Sequence, residues 1–225
     1  FVIWCAVLID PDILLTDLRF SFTGKIILLE NFSTFFTVLC FLLFINAFNM
    51  FDGINLQAGL YALAIFVFFI LNDFMPIVCV VFAISIFFFL ILNFQNKTFL
   101  GDSGAFLLSY IISYLFIKSY NFDKLFYADE IFLIMLVPGL ELIRLAALRV
   151  LKRQHPFAGD RLHLHHLMID IFGHKKTLVY IFLIILFPIL LDYFFVSTFV
   201  AIIISIIIYF SFLLFLKRQL KSEIS

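Results

Sequence analysis

The chain has 225 residues, of which 65% are hydrophobic and 13% charged, with a mean hydropathy of +1.19. A soluble domain carries about 45–50% apolar and about 25% charged residues, so a water-soluble globule, a disordered chain, a collagen-like fibre and a disulfide scaffold are excluded, and the chain belongs in a bilayer. Fifteen basic and fifteen acidic residues cancel, which leaves no net field to recruit nucleic acid.

Phe1 to Ile9 is an apolar run without the basic flank of a signal peptide. At about 1.5 Å per residue it is too short for a hydrocarbon core about 30 Å thick. The expectation is the tail of a span whose beginning is absent, so that the chain is a fragment. Further apolar runs lie near Phe32 to Phe48, Leu56 to Leu71, Phe74 to Leu92, Ala105 to Ile117, Ile131 to Leu148, Leu178 to Leu191 and Val196 to Leu216. They do not alternate as the strands of a membrane barrel would. The predicted fold is all-α: a polytopic integral membrane helical bundle of about seven full spans plus a truncated first span, in a single membrane domain over residues 1–225. Cys5, Cys40 and Cys79 fall within apolar runs and read as small buried hydrophobes.

If every run crosses, the loops alternate in sidedness. One side then holds Lys97, Arg144, Arg149, Lys152, Arg153, Arg161, Lys175, Lys176, Lys217, Arg218 and Lys221; the other holds Arg19, Lys25, Lys118 and Lys124. The excess of Lys and Arg places the first set in the cytoplasm.

Three polar clusters fall on that side. The first is NAFNMFDGIN, with Asn46, Asn49 and Asp52 three residues apart on one helical face before Gly53 breaks the helix. A carboxylate in a span is costly, which makes this stripe a site candidate; the alternative is a hydrated helix end with Asn joining neighbouring helices. The second is NFQNKTFLGDSGAF, where Asp102 sits between Gly101 and Ser103-Gly104 just before an apolar helix. It is either an ordinary helix entry capped by Ser103 or Asp102, or a place where backbone N–H groups meet phosphate and Asp102 holds a hard cation such as Mg²⁺.

Pro138-Gly139 is expected to kink the next helix, on which Glu141 and Arg144 have the spacing of an intrahelical ion pair. The third cluster, HPFAGDRLHLHH, follows with His155, Asp160, Arg161, His163, His165 and His166. A topogenic basic collar explains its cations but not its histidines. His163 and His166 can share a helical face, whereas the adjacent His165 and His166 cannot. Metal ligation and pyrophosphate binding both suit this set.

Taken together, in this order and on one side, NAFNMFDGIN, FLGDSGAF and PFAGDRLHLHH resemble the polyprenyl-phosphate N-acetylhexosamine-1-phosphate transferases, with matching hydrophobic spacing from about Phe32 to the C-terminus. The resemblance implies an enzyme of the bacterial inner membrane with its site on the cytoplasmic face. That enzyme transfers a sugar 1-phosphate from a UDP-N-acetylhexosamine to undecaprenyl phosphate, releasing UMP in a Mg²⁺-dependent reaction for cell-envelope polysaccharide synthesis. It further implies catalytic roles for Asp52, Asp102 and His163, with Asp102 on the metal. Asn46, Asn49, Asp160, Arg161, His165 and His166 are the implied substrate-binding residues. The lipid bilayer is a partner, nucleic acid is not, and a homodimer is left open.

The sequence departs from the family in three places. The adjacent Asp-Asp pair of the family is absent and is expected upstream of Phe1, so that these residues alone are expected to be inactive. Asp10-Pro11-Asp12 does not replace it, because those carboxylates are not adjacent and lie on the other side. The family's Asp-Gly-x-Asp-Gly-Leu-Ala reads Asp52-Gly53-Ile54-Asn55-Leu56-Gln57-Ala58, with Asn55 for a carboxylate, and Glu141 stands where many relatives have Asp. A histidine-box membrane oxidase or desaturase is the main alternative, but it requires several separated His boxes and only His174 lies outside this cluster. A non-catalytic membrane binding protein or transporter would instead set ionisable groups along a midplane path.

Overall fold

The computed structural model describes residues 2–125, 127–153, 155 and 162–224. Among them are nine α-helices and one hairpin. They run α1 (Val2–Ile9), β1 (Asp17–Phe20), β2 (Thr23–Leu28), α2 (Ser33–Phe51), α3 (Gln57–Leu71), α4 (Pro76–Phe94), α5 (Gly101–Asn121), α6 (Ala128–Ile134), α7 (Leu136–Leu151), α8 (Leu164–Phe194) and α9 (Thr198–Ile224). The predicted helical architecture is present. Four helical segments are long and apolar enough to cross a membrane: Glu30–Phe51, Pro76–Phe94, Leu164–Phe194 and Thr198–Leu220. The bent pair α6 and α7 makes a fifth if it counts as one span. The seven expected full spans therefore correspond to seven helical segments of unequal reach. α3 has 15 residues, about 22 Å at the α-helical rise, and α5 carries Asp102, Lys118 and four serines among its 21 residues.

The chain forms two compact units, Phe1–Phe132 and Leu133–Ser225. In the first, α2 packs on α5 and α3 on α4. α2 buries Thr37, Phe41, Phe44, Phe48 and Phe51, a helical stripe. Its rings meet those of α3 and α5: Phe44 lies 6.4 Å edge-on from Phe116 and Phe51 lies 5.5 Å from Tyr61, while Phe69 of α3 lies 5.2 Å from Phe116 of α5. The outward faces are also apolar, as a lipid solvent requires; Phe35, Ile77, Phe87 and Phe88 are all exposed.

One end of this unit carries the hairpin, in which Asp17 pairs with Leu28 and Arg19 with Ile26. The all-α expectation did not include this small sheet. The hairpin is docked by polar contacts. The backbone N–H of Arg19 donates to the Tyr120 hydroxyl at 2.7 Å, its guanidinium to the Tyr120 carbonyl at 2.9 Å, and it pairs with Asp123. Beside it, Lys118 donates to Asp10 at 2.9 Å and Tyr114 donates to the same carboxylate at 2.7 Å, which holds the Asp10 carboxyl below the usual carboxylate range. α5 spans 21 residues, about 31 Å, so this end lies a membrane thickness from Asp102 at the start of the helix. Asp10 and Asp12 are thus remote from the second polar cluster, as the sequence implied.

In the second unit α8 packs on α7 and α9. The predicted kink at Pro138-Gly139 is displaced: the helix breaks at Met135 instead. Pro138 then falls in the first turn of α7, where its missing N–H is no loss. α8 itself is kinked at Gly173, whose φ of 73° with ψ of 165° lies outside the reach of an ordinary side chain. The kink separates a short N-terminal segment bearing His165 and His166 from the longer remainder, which opens on His174, Lys175 and Lys176 before its apolar run.

Candidate active site

Gly53 ends α2 as expected. Asp52 is the C-cap residue, its N–H returning to the carbonyls of Phe48 and Asn49, so its carboxyl stands at the helix end. Gly101 opens α5 with a φ of 63°, and a Cβ added there would meet nothing within 4 Å, so glycine serves the backbone angle and not a tight fit. Neither Ser103 nor Asp102 caps the helix. The N-cap is Leu100, which offers no side-chain hydrogen bond, and Asp102 lies in the exposed first turn.

These two chain segments meet. Asp52, Gly53, Asn55, Phe99, Gly101 and Asp102 line one cleft of about 250 Å³. Burial, and then the negative charge of Asp102, push the Asp52 carboxyl up to about 6. Two carboxylates facing one cleft, one of them destabilised by the other, with a helix N-terminus alongside, form a place that favours a cation together with an anion. Asn46 and Asn49 are half-buried on the preceding turns of α2 and do not line the cleft. The Asn46 amide instead donates to the Leu42 carbonyl at 2.7 Å within its own helix.

The contact between the segments is made by Asn93, a residue that sequence reasoning did not single out. It is 3% exposed at the end of α4. Its Oδ1 accepts the Leu56 N–H at 2.7 Å and its Nδ2 donates to the Thr98 carbonyl at 2.7 Å. One side chain therefore ties the turn after Asp52 to the strap before Gly101. Asn55, which stands where the family has a carboxylate, donates to Asn96 Oδ1 at 2.6 Å. Leu56 is held in the left-handed region with φ of 72°, a conformation disfavoured for leucine, and its bond to Asn93 helps hold it there. The only sequence signal for Asn93 was an amide at the end of an apolar helix.

In the second unit the histidines gather. The ring centroids of His163 and His165 are 5.2 Å apart, those of His163 and His166 are 6.1 Å apart, and those of His165 and His166 are 4.3 Å apart. His165 is buried and His166 half-buried, so the two adjacent residues take different faces of the helix although their rings are close. His163 joins them from the extended N-cap position. His165 is 4% exposed, and its Nε2 has no hydrogen-bond partner among the described residues. Asp160 and Arg161 lie outside the described residues. Among the described residues no group of three His, Cys, Asp or Glu side chains is arranged to hold a metal ion.

The Glu141–Arg144 pair is formed as the spacing implied, at 2.9 Å, but it reaches further than its own helix. Glu141 Oε2 accepts the Leu164 N–H at 3.0 Å, Arg144 donates to the Leu162 carbonyl at 2.8 Å and to the Tyr209 hydroxyl at 3.1 Å, and Tyr209 donates to Glu141.

A helical membrane protein with two carboxylates at one cleft beside a helix N-terminus, and with an imidazole cluster, has the parts of a phosphoryl-transfer enzyme. The chain belongs to glycosyl transferase family 4, whose model matches residues 1–120. Among curated relatives, it is 30% identical over 188 residues to a decaprenyl-phosphate N-acetylglucosaminephosphotransferase of Mycobacterium leprae, covering 71% of this chain and 47% of that one. It is 26% identical over 166 residues to an undecaprenyl-phosphate alpha-N-acetylglucosaminyl 1-phosphate transferase of Escherichia coli, covering 68% and 45%. A protein of the same name from Salmonella typhi is 25% identical over 179 residues, covering 74% and 49%. The chain spans about half the length of these relatives. No solved structure matches it.

Proposed function

We propose that the protein transfers a sugar 1-phosphate, N-acetylglucosamine 1-phosphate or a related N-acetylhexosamine 1-phosphate, from a UDP-sugar to undecaprenyl phosphate at the cytoplasmic face of a bacterial inner membrane. The observation that carries this reading is the cleft that joins Asp52 to Asp102 at the N-terminus of α5. In the reaction, an oxygen of the polyprenyl phosphate bonds to the β-phosphorus of the UDP-sugar, the bond from that phosphorus to the bridging oxygen breaks, and UMP leaves with the bridging oxygen.

Mg²⁺ fits the residues present: it takes hard oxygen ligands, usually one or two carboxylates completed by substrate phosphates and water, and does not need a third protein ligand. Asp102 would hold it with Asp52 beside, and the ion would neutralise charge on the pyrophosphate as the leaving group forms. Asp52, raised to about 6, is largely ionised at neutral pH and still basic enough to take a proton from an incoming phosphate monoanion. The uncapped N–H groups of α5 suit a phosphate. His163, His165 and His166, with Arg161 and Asp160, are assigned to the nucleotide sugar and its phosphates, and Asn46 and Asn49 to orienting substrate beneath Asp52. A lipid phosphate that never leaves the bilayer and a soluble nucleotide sugar require a site at the interface, where the ends of α2 and α5 stand.

The test is Mg²⁺-dependent release of UMP from UDP-N-acetylglucosamine with undecaprenyl phosphate, by the product of the complete open reading frame in membranes. Release that is lost on chelation and lost in Asp102→Asn supports the assignment. Undiminished turnover by Asp102→Asn refutes it.

A further inference from the structure

Both residues that flank His163 are held by side chains from α7. α8 begins without a side-chain cap, and its first amide, Leu164 N–H, is accepted instead by Glu141 Oε2 at 3.0 Å. On the other side of His163, the Leu162 carbonyl accepts Arg144 Nη2 at 2.8 Å. Glu141, Arg144 and Tyr209 are 3%, 7% and 2% exposed. At this depth a carboxylate and a guanidinium must satisfy each other and find further partners. Arg144 grips Glu141 through Nε at 3.0 Å and Nη2 at 2.9 Å, and the Tyr209 hydroxyl from α9 closes the set against both.

We propose that Glu141, Arg144 and Tyr209 form a clamp that sets the position of the His163, His165 and His166 rings, which makes Tyr209 a positioning residue for the phosphates of the nucleotide sugar. The substrate half of this statement rests on the proposed function. The sequence gives no hint of it, since Tyr209 lies 68 residues from Glu141 in an otherwise apolar helix. The clamp acts through the backbone that carries the rings, at the Leu162 carbonyl and the Leu164 N–H. Within the clamp Arg144 Nη1 is buried without a hydrogen-bond partner among the described residues, a donor that an anionic ligand would complete.

Tyr209→Phe removes one hydroxyl and keeps the ring, and Glu141→Gln removes the charge. The protein, whole and in lipid nanodiscs, is followed by amide hydrogen exchange of residues 162–167 and by the KM values for UDP-N-acetylglucosamine and undecaprenyl phosphate. In Tyr209→Phe, exchange of 162–167 rises and the UDP-sugar KM rises, each about tenfold, the equivalent of one hydrogen bond to a charged group. Exchange within 33–51 and the KM for the lipid phosphate stay as they were. Unchanged exchange at 162–167 overturns the clamp whatever the KM does, and faster exchange with an unchanged UDP-sugar KM overturns the positioning role. If the intact protein releases no UMP at all, the proposed function fails, and the exchange comparison alone decides the clamp. Should Glu141→Gln fail to insert, Tyr209→Phe carries the test.

Discussion

Asn93→Ala removes a buried side chain that bonds both the turn after Asp52 and the strap before Gly101. It deletes two hydrogen bonds of 2.7 Å and leaves the Leu56 N–H and the Thr98 carbonyl without their partner at a position only 3% exposed. Each buried orphan costs about 1–3 kcal/mol. The adjoining cleft admits water to part of this space, so the lower end applies, and about 2 kcal/mol is lost from the linkage. If that linkage holds the two carboxylates in register for a cation, the loss appears as a weaker site, about thirtyfold at the conversion of about 1.4 kcal/mol per factor of ten. Mn²⁺ is a suitable probe, titrated by electron paramagnetic resonance with the protein in nanodiscs. Asn96→Ala serves as the control, because it removes a contact of Asn55 made on the exposed side of the strap and is expected to change binding less than about threefold. Wild-type Mn²⁺ affinity in Asn93→Ala refutes the argument that this amide assembles the cleft.

Protons and cations compete for Asp52. Its carboxyl is raised, so the folded state holds its proton up to about pH 6, and cation binding strengthens as pH rises through that value, then levels off. Below it the apparent affinity falls by up to about tenfold per pH unit, which isothermal titration at pH 5 and pH 7 would detect; a flat profile refutes it. Asp102→Asn moves the titration of Asp52 downward but not to the ordinary carboxylate value, because burial is the larger cause and remains; a carboxyl-resolved infrared titration reads this. Gly101→Ala meets no steric clash but pays for a φ of 63°, about 1 kcal/mol, seen as a small drop in the midpoint of thermal unfolding; a drop several times larger contradicts the open space around it. Tyr120→Phe removes the hydroxyl that receives the Arg19 N–H, and residues 17–28 should exchange amide hydrogens faster by about tenfold while α2 does not.

Helices were legible in the sequence because lipid imposes one rule on every face: long apolar runs with no alternation. The cleft was half legible. Asp52 and Asp102 announced themselves as carboxylates at span ends, and the structure brings them together although 50 positions separate them. Asn46 and Asn49, equally polar, lie off the cleft, because a three-residue period fixes a face of a helix and not its height. Asn93 and Tyr209 were invisible for a different reason. Their roles come from what lies across from them, and a single amide or phenol in an apolar helix looks the same whether it faces lipid or a neighbour's backbone. The kink at Met135 shows the converse error: Pro138 was read as a breaker because proline in mid-helix is one, yet it stands in a first turn, where it is accommodated.

The two assemblies that position these groups share a property that follows from the charge of the ligands. Asn93 joins its two chain segments with a neutral amide, and the Glu141–Arg144 pair joins its segments with one charge of each sign. Neither adds net charge to its surroundings. A lysine at the place of Asn93 would neutralise the carboxylates and dismiss the cation; a third carboxylate would raise the Asp52 proton affinity further and leave it unable to ionise at neutral pH. Asn93→Lys and Asn93→Asp should therefore both weaken Mn²⁺ binding, the first at every pH and the second up through neutral pH, with affinity recovering only at higher pH, once the site is fully deprotonated. Identical pH profiles for the two variants would mean that geometry alone, and not the charge balance of the cleft, governs the site.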